Sequence, residues 1–241
     1  MKTFRHSGKL GDLVYALPTV RAMGGGTLYV HPGGGQGIGE RDACAIVPLL
    51  AVQDYISHAD LWRGEPIDVD LDVWRSHFRP FSHSLAESHL LAFGLPLDEV
   101  NARWLHVNRP QAPSGRVLFG RTGIRVGAPG FWGTCYELFR EKAVFVGHPN
   151  EHQCFCEQVG QIERLETANL LELACVIEDS ALFVGNQSCA YAIAEGLKHR
   201  AILGGDAGAP DCLFHRPDAL MVMTEEDLSD IEPFAREMGA L

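Results

Sequence analysis

Three short stretches combine residue types and spacings that could do chemistry. In SGKLGD, residues 7–12, the carboxylate of Asp12 follows two glycines, with His6 and Lys9 beside it in sequence. In GRTGIR, residues 120–125, Arg121 and Arg125 bracket Thr122 and a glycine. In GNQSCAYAIAEG, residues 185–196, Asn186, Gln187, Ser188 and Cys189 stand where an apolar run gives way to helical spacing. Each stretch suits a different task. A carboxylate can take a proton from an attacking hydroxyl. Two guanidiniums with a hydroxyl between them can hold a diphosphate. A helix start, here the N–H groups of Ser188 to Tyr191, presents unpaired donors to an anion.

Each also has a plainer use. A carboxylate in a first helical turn is favoured by the helix dipole without any catalysis. Asn186 and Ser188 are good helix caps, the arginines could be ordinary surface residues, and His6 could simply end a strand. Position along the chain decides how far these residues can cooperate, so the elements that carry them come next.

Apolar runs and helical periodicities alternate from the start. MKTFRHS reads as a strand, Asp12 to Met23 as a helix, TLYVHP as a strand, and Glu40 to Val52 as a helix ending in the turn before DYISHA. DVDLDVW alternates with period two, SLAESHLLAFG is helical with Gly94 as its stop, and WLHVN is a further strand. NRPQAPSGR, residues 108–116, concentrates Pro, Ser and Gly and reads as a linker. A second series follows: strands RVLFGRT, AVFVGHP, IERLET, ALFVGNQ and AILGG, and helices Cys135 to Lys142, Asn150 to Val159, Asn169 to Asp179 and Cys189 to Leu197. In the tail, Thr224 and Asp227 have capping-box spacing. No internal repeat is visible. Two strand–helix series joined by a linker predict an α/β protein of two Rossmann-like domains with mostly parallel sheets facing a cleft. All three chemical stretches fall at carboxyl ends of strands, where such sheets bind ligands.

Composition narrows the partners. The chain has 241 residues, 46% hydrophobic and 21% charged, as expected of a globular protein with room for a sizeable core. Twenty Lys and Arg against 31 Asp and Glu give a net charge of −11, which argues against a nucleic-acid partner and for small-molecule chemistry. No apolar run is long enough for a signal peptide or a membrane span, so the cytoplasm is the expected compartment. The seven cysteines are odd in number and sit in apolar contexts, as reduced core residues do. Cys154 and Cys156 form a C-x-C near His148 and His152, but a two-residue step on a helix points the thiols to opposite faces, and no metal site is assigned. HPGGGQGIG lacks the ending of a phosphate loop and the helix of a dinucleotide fingerprint, and reads as a loop that could close over a ligand.

Two segments carry a resemblance. HSGKLGDLVYALPTVRAM is similar to the N-terminal signature of the heptosyltransferase-like glycosyltransferases (glycosyltransferase family 9), in which Gly-Asp follows the first strand and a proline sits in an apolar helix. SALFVGNQSCAYAIAEGL resembles that family's later motif, a strand ending in Gly-Asn-Asp-Ser-Gly before an alanine-rich helix. RVLFGRT, FWGTCYELF, AVFVGHPNEH and NLLELACVIEDS fall in the order of its C-terminal domain. The resemblance spans most of residues 116–205 and residues 1–30 and is weak between them.

The resemblance implies a GT-B architecture: a reduced, acceptor-side domain over 1–110 and a nucleotide-sugar donor domain over 116–241. It implies inverting transfer without metal or cofactor, from a nucleotide-diphosphate sugar as co-substrate to an acceptor hydroxyl on a saccharide, a lipid-linked saccharide or another molecule. By this likeness Asp12 falls on the catalytic base, with His6 and Lys9 on the acceptor side. Arg121, Thr122 and Arg125 fall on a phosphate-binding turn, and Glu151 and Gln153 lie near the nucleotide's ribose. Asn186, Gln187, Ser188 and Cys189 fall on the loop that holds the donor's sugar and diphosphate. Gln187 stands where the family has an aspartate, and Cys189 where it often has glycine. Those departures leave two other functions open: a catalytically silent nucleotide-sugar binding protein, or a GT-B-like nucleotide-sugar epimerase.

Overall fold

Both sheets are built from short strands, most of them followed by a helix. The computed structural model describes residues 1–33, 37–79, 81–108, 114–125 and 127–241, so the middle of HPGGGQGIG and most of the linker lie outside the described residues. The chain divides into two units, one of residues 1–107 with 168–172 and one of 108–167 with 173–241.

In the first unit the strands are β1 (Lys2–His6), β2 (Gly26–Val30), β3 (Ile56–Leu61) and β4 (Val69–Asp70). They pair in parallel in the order β3-β2-β1-β4. The helices α1 (Leu10–Ala22), α2 (Glu40–Ala51) and α3 (Leu85–Ala92) pack around them. Leu13, Val14, Leu17 and Val20 of α1 are fully buried, as are Phe4 of β1, Leu28 of β2 and Ile46 of α2. Burying such side chains contributes about 1.5–3 kcal/mol each, which is what holds short strands in place.

In the second unit the strands are β5 (Val117–Gly120), β6 (Ala143–Val146), β7 (Glu163–Leu165), β8 (Leu182–Asn186), β9 (Ala201–Gly204) and β10 (Ala219–Val222). They too are parallel, in the order β10-β9-β8-β5-β6-β7. The helices are α4 (Phe131–Phe139), α5 (Pro149–Gln158), α6 (Leu170–Asp179, of which residues 173–179 fall in this unit), α7 (Cys189–Gly196) and α8 (Ile231–Glu237). Phe119, Phe131, Phe139, Phe145 and Phe155 form the centre of a core on one face of this sheet.

Strand order fixes where ligands can bind. In each unit the chain lays down its first strand, moves outward on one side, then crosses to the other side of that first strand. The crossing lies between β1 and β4 in the first unit and between β5 and β8 in the second. At such a switch point the following loops part, leaving a crevice beyond the carboxyl ends. The fold is thus α/β with two Rossmann-like parallel sheets, as the sequence predicts.

Four local readings need correction. DVDLDVW gives only the two residues of β4 before a 3₁₀ turn over Leu71–Ser76, because the Asp70 side chain accepts from Asp72 N at 3.1 Å and caps the turn. WLHVN forms no strand. Its carbonyls are taken by side chains instead, Tyr55 Oη donating to Trp104 O (2.5 Å) and Arg103 Nε to Leu105 O (2.7 Å). The helix expected from Cys135 begins at Phe131, where Gly130 in the left-handed region (φ 79°) lets the chain turn into it, and ends at Phe139. Thr224 does not cap a helix through its side chain; the Asp227 carboxylate accepts from Met223 N and Thr224 N at 2.7 and 2.8 Å. The edge strands β3 and β10 escape the sequence reading because β3, ISHADL, lacks strict alternation and β10 is only four residues long.

Candidate functional site

At the first unit's switch point, β1 ends in His6 and runs through Ser7 and Gly8 into α1. Asp12 occupies the first turn of α1 with Lys9 at the N-cap, so the macrodipole favours the ionised carboxylate. The chain after β4 brings Asp72 and Arg75 to the same place. Ser7 donates to Asp72 through its hydroxyl (2.5 Å) and its backbone N–H (3.2 Å). Arg75 lies between two carboxylates, 3.5 Å from Asp72 Oδ1 and 4.0 Å from Asp12 Oδ2, with its guanidinium 4.8 Å above the Trp74 ring. Gly8 is required here by close approach: a Cβ would sit 2.5 Å from His6 Cε1 and 2.8 Å from Arg75 Nη2.

The histidines of this site are uncharged at neutral pH. Burial drives His6 down to about 4, Arg75 adding to the shift and Asp72 opposing it. Gly8 N–H donates to His6 Nδ1 at 3.0 Å, which leaves the ring proton on Nε2. His89, fully buried on α3 with its ring centroid 5.4 Å from that of His6, is held well below the ordinary value by burial and then by His6 and Arg75. Burial alone would raise Asp72, but the Ser7 hydrogen bonds and the neighbouring cation outweigh it and keep its carboxyl low. The site therefore holds fixed negative charge beside neutral imidazoles, with one shared guanidinium.

At the second unit's switch point the groups are of the opposite kind. β5 ends at Gly120 and leads into Arg121, Thr122 and Arg125, which line a cavity of about 520 Å³ together with Gly130, Trp132 and Gln158. Arg121 Nη2 donates to Gln158 Oε1 at 2.6 Å, and its guanidinium lies 5.6 Å from the Trp132 ring centroid. Arg121 Nη1 and Thr122 Oγ1 are buried and have no hydrogen-bond partner. Buried donors without partners are costly, about 1–3 kcal/mol each, and both belong to residues that line the cavity. The loop wraps tightly here, since a Cβ at Gly127 would lie 3.0 Å from the backbone of Gly204 at the end of β9.

The end of β8 acts as a brace for this loop. Asn186, 1% exposed, accepts from Thr122 N (3.0 Å) and donates to Thr122 O (2.9 Å) and Arg125 O (2.7 Å). Gln187 accepts from Asp206 N at 2.9 Å and donates to Ala209 O. Ser188 caps α7, its hydroxyl accepting from Tyr191 N at 3.2 Å, and Cys189 opens the helix, half-buried. Asn186 and Gln187 are thus committed to backbone, holding the arginine loop on one side and the loop after β9 on the other.

Glu151 and Gln153 lie on α5, the helix that ends in Gln158, and neither lines the cavity. Glu151 accepts from His148 N at 3.0 Å, and Gln153 donates to Glu157 one turn on at 2.9 Å. Cys154 and Cys156 are on the same helix. Among the described residues no group of three His, Cys, Asp or Glu is placed to hold a metal ion, and no helix is long and apolar enough to cross a membrane.

Sequence reasoning missed Ser7, Asp72, Arg75 and His89 in the first unit, and Gln158 and Asp211 in the second. Asp72 was masked by its place in an apparent strand, DVDLDVW, which Arg75 directly follows. Only the strand order, which puts β4 against β1, brings them to Asp12's neighbourhood.

No family model matches the chain, and no curated protein matches it in sequence. Solved structures do match in fold. The E. coli heptosyltransferase WaaC, solved with ADP-2-deoxy-2-fluoro heptose, has a TM-score of 0.61 and 11% identity over 98% of each chain. A glycosyl transferase family 9 protein from Veillonella parvula gives 0.57 and 13% identity over 98% of this chain and 88% of its own. E. coli ADP-heptose lps heptosyltransferase II gives 0.52 and 14% identity over 100% of this chain and 97% of its own. The likeness to these glycosyltransferases, two of them heptosyltransferases, extends over nearly the whole chain at low identity, and the fold is GT-B-like.

Proposed function

We propose that the protein is an inverting glycosyltransferase that moves a sugar from a nucleotide-diphosphate donor to an acceptor hydroxyl without a metal. The observation that carries this reading is the cationic cavity at the β5/β8 switch point, where Arg121 Nη1 and Thr122 Oγ1 are buried without partners. A diphosphate matches both its charge and its donors. The fold supports the reading, because WaaC, similar over nearly all its length, was solved with ADP.

In this mechanism Asp12 takes the proton of the acceptor hydroxyl while that oxygen attacks the anomeric carbon. The bond from that carbon to the donor diphosphate breaks in the same displacement, which inverts the configuration. Arg121, Arg125 and Thr122 stabilise the charge that develops on the departing diphosphate. Asn186 and Gln187 hold their loops in place beforehand, so little reorganisation accompanies the reaction. Arg75 is shared between the two carboxylates, 4.0 Å from Asp12 and 3.5 Å from Asp72, so it does not pair with Asp12 alone.

A second reading, a nucleotide-sugar binding protein without turnover, is favoured by Gln187, whose amide is spent on Asp206 and Ala209 rather than on a ligand. One set of measurements tests both. Nucleotide diphosphates and their sugars should raise the melting temperature, since they bind only the folded chain; no shift with any of them would sink the donor site. Slow hydrolysis of a bound donor should fall about 10²–10⁴-fold in Asp12→Asn if Asp12 is the base. Binding with no hydrolysis in the unaltered protein would favour the silent reading.

A further inference from the structure

One buried carboxylate near the cavity has no place in this mechanism. Asp211 is 8% exposed, in the 3₁₀ turn Pro210–Cys212 that follows the loop after β9. Its Oδ2 lies 4.0 Å from Nη2 of Arg125, and it is the one ion-pair partner recorded for that guanidinium among the described residues. Burial raises its carboxyl above the ordinary range, against the pull of Arg125, so ionising it costs something. A carboxylate kept at such a cost beside an anion-binding arginine calls for a role.

Its electrostatics work in the wrong direction for simple binding. A negative charge beside Arg125 repels a diphosphate and offsets part of the cation. What it can supply is direction, since a guanidinium on a flexible stem loses rotamer entropy when it must be held for a ligand. The backbone of Arg125 is already held, its carbonyl accepting from Asn186 Nδ2 at 2.7 Å. Its side chain is one-third exposed and faces Asp211. The loop that carries Asp211 is in turn anchored by the neighbouring residue, with Gln187 bridging Asp206 N and Ala209 O. An uncharged amide can accept at one end of that bridge and donate at the other; an ionised aspartate or glutamate could do only the first.

We propose that Asp211 is a positioning residue, which aims Arg125 into the cavity for the donor's diphosphate and is itself placed there by the Gln187 bridge. The proposal rests on the donor reading above. It also gives Gln187 a purpose: the residue that departs from the family's aspartate builds the support for the anion-binding arginine.

Inorganic pyrophosphate is the probe, because it carries the diphosphate without committing to a base or a sugar. Its affinity would be measured by titration calorimetry for the whole protein and for Asp211→Asn, Asp211→Glu, Arg125→Gln and the Asp211→Asn/Arg125→Gln double variant. Asp211→Asn should weaken binding about tenfold even though it removes a repelling charge, because orientation is lost. Asp211→Glu should recover most of that loss. In the Arg125→Gln background, Asp211→Asn should cost nothing further, since the residue acts through Arg125. If Asp211→Asn does not fold, Gln187→Met loosens the same loop and should weaken binding only where Arg125 is present. Unchanged or tighter binding in Asp211→Asn, or an equal loss with and without Arg125, overturns the proposal alone. Failure of the unaltered protein to bind pyrophosphate and every nucleotide diphosphate overturns the donor reading and this proposal with it.

Discussion

The two switch points have the same topology and opposite chemistry. Between β1 and β4 the chain gathers Asp12, Asp72 and two buried, neutral histidines around a single shared guanidinium. Between β5 and β8 it gathers two arginines and a hydroxyl, and fixes them with the neutral amides of Asn186 and Gln187. One site is therefore held together largely by groups that titrate, the other largely by groups that do not. The contrast teaches that strand order alone chooses the place for a site, while the residues at the strand ends choose whether it is rich in carboxylates or in guanidiniums. It also predicts that acid should disturb the first unit before the second.

The amide brace gives the largest expected effect. Asn186→Ala removes three hydrogen bonds and leaves Thr122 N–H and two carbonyls unpaired in a part-buried loop. At about 1–3 kcal/mol for each buried group left unpaired, a loss of roughly 3–5 kcal/mol is expected in urea unfolding, together with loss of diphosphate binding. Asn186→Asp should fare little better, because a carboxylate can still accept from Thr122 N–H but repels the two carbonyls. A change under about 1 kcal/mol, the size of an ordinary surface substitution, would show that the loop is held by something else.

The imidazole pair gives the next. In the unfolded chain His6 titrates near 6.5, but in the fold it resists protonation until about 4. The unfolded state thus takes up the proton first as pH falls. Stability is complete above 6.5 and drains away between there and 4, by about 3 kcal/mol from His6, with His89 adding in the same direction. His6→Asn keeps an acceptor for Gly8 N–H and removes the titration. Denaturant unfolding across pH 7 to 4.5 should show a shallower decline in that variant than in the unaltered chain, and parallel declines would remove His6 from the account.

These two sites were unequally legible in the sequence, for a physical reason. Asp12, Arg121, Thr122 and Asn186 could be read because each lies at the end of its own strand or within a few residues of it, and a glycine next to a polar residue at the end of an apolar run marks such a place. Asp72 and Arg75 could not, since DVDLDVW has strand periodicity and its conversion to a 3₁₀ turn depends on the Asp70 side chain. The packing of WLHVN was hidden in the same way, because Gln53 and Tyr55 satisfy its backbone from a distant part of the chain. Asp211 was invisible for a different reason: its meaning depends on a pair 86 positions apart in the chain, Arg125 with Asp211, that only folding creates. Parallel order in both sheets, by contrast, follows from alternation of strand and helix and was readable throughout.

The smallest effect separates capping from ligand binding at the residue where the two readings compete. Ser188 caps α7 by accepting from Tyr191 N, and Ser84 caps α3 by accepting from Glu87 N at 3.2 Å while Glu87 answers Ser84 N at 2.7 Å. Both are serines at comparable helix starts, one beside the arginine cavity and one in the other unit. Replacing either by alanine should cost about 1 kcal/mol, with Ser84 the more costly because its loss leaves a reciprocal cap half made. If Ser188 only caps, Ser188→Ala should leave pyrophosphate affinity within about threefold of the unaltered protein, as Ser84→Ala should. If its hydroxyl also donates to the diphosphate, affinity should fall about tenfold or more at unchanged helix stability, because a charge-assisted hydrogen bond is worth about 1.5–3 kcal/mol. Calorimetry on the two alanine variants therefore decides whether the anion site proposed for the second unit ends at Arg121, Thr122 and Arg125 or extends to the start of α7.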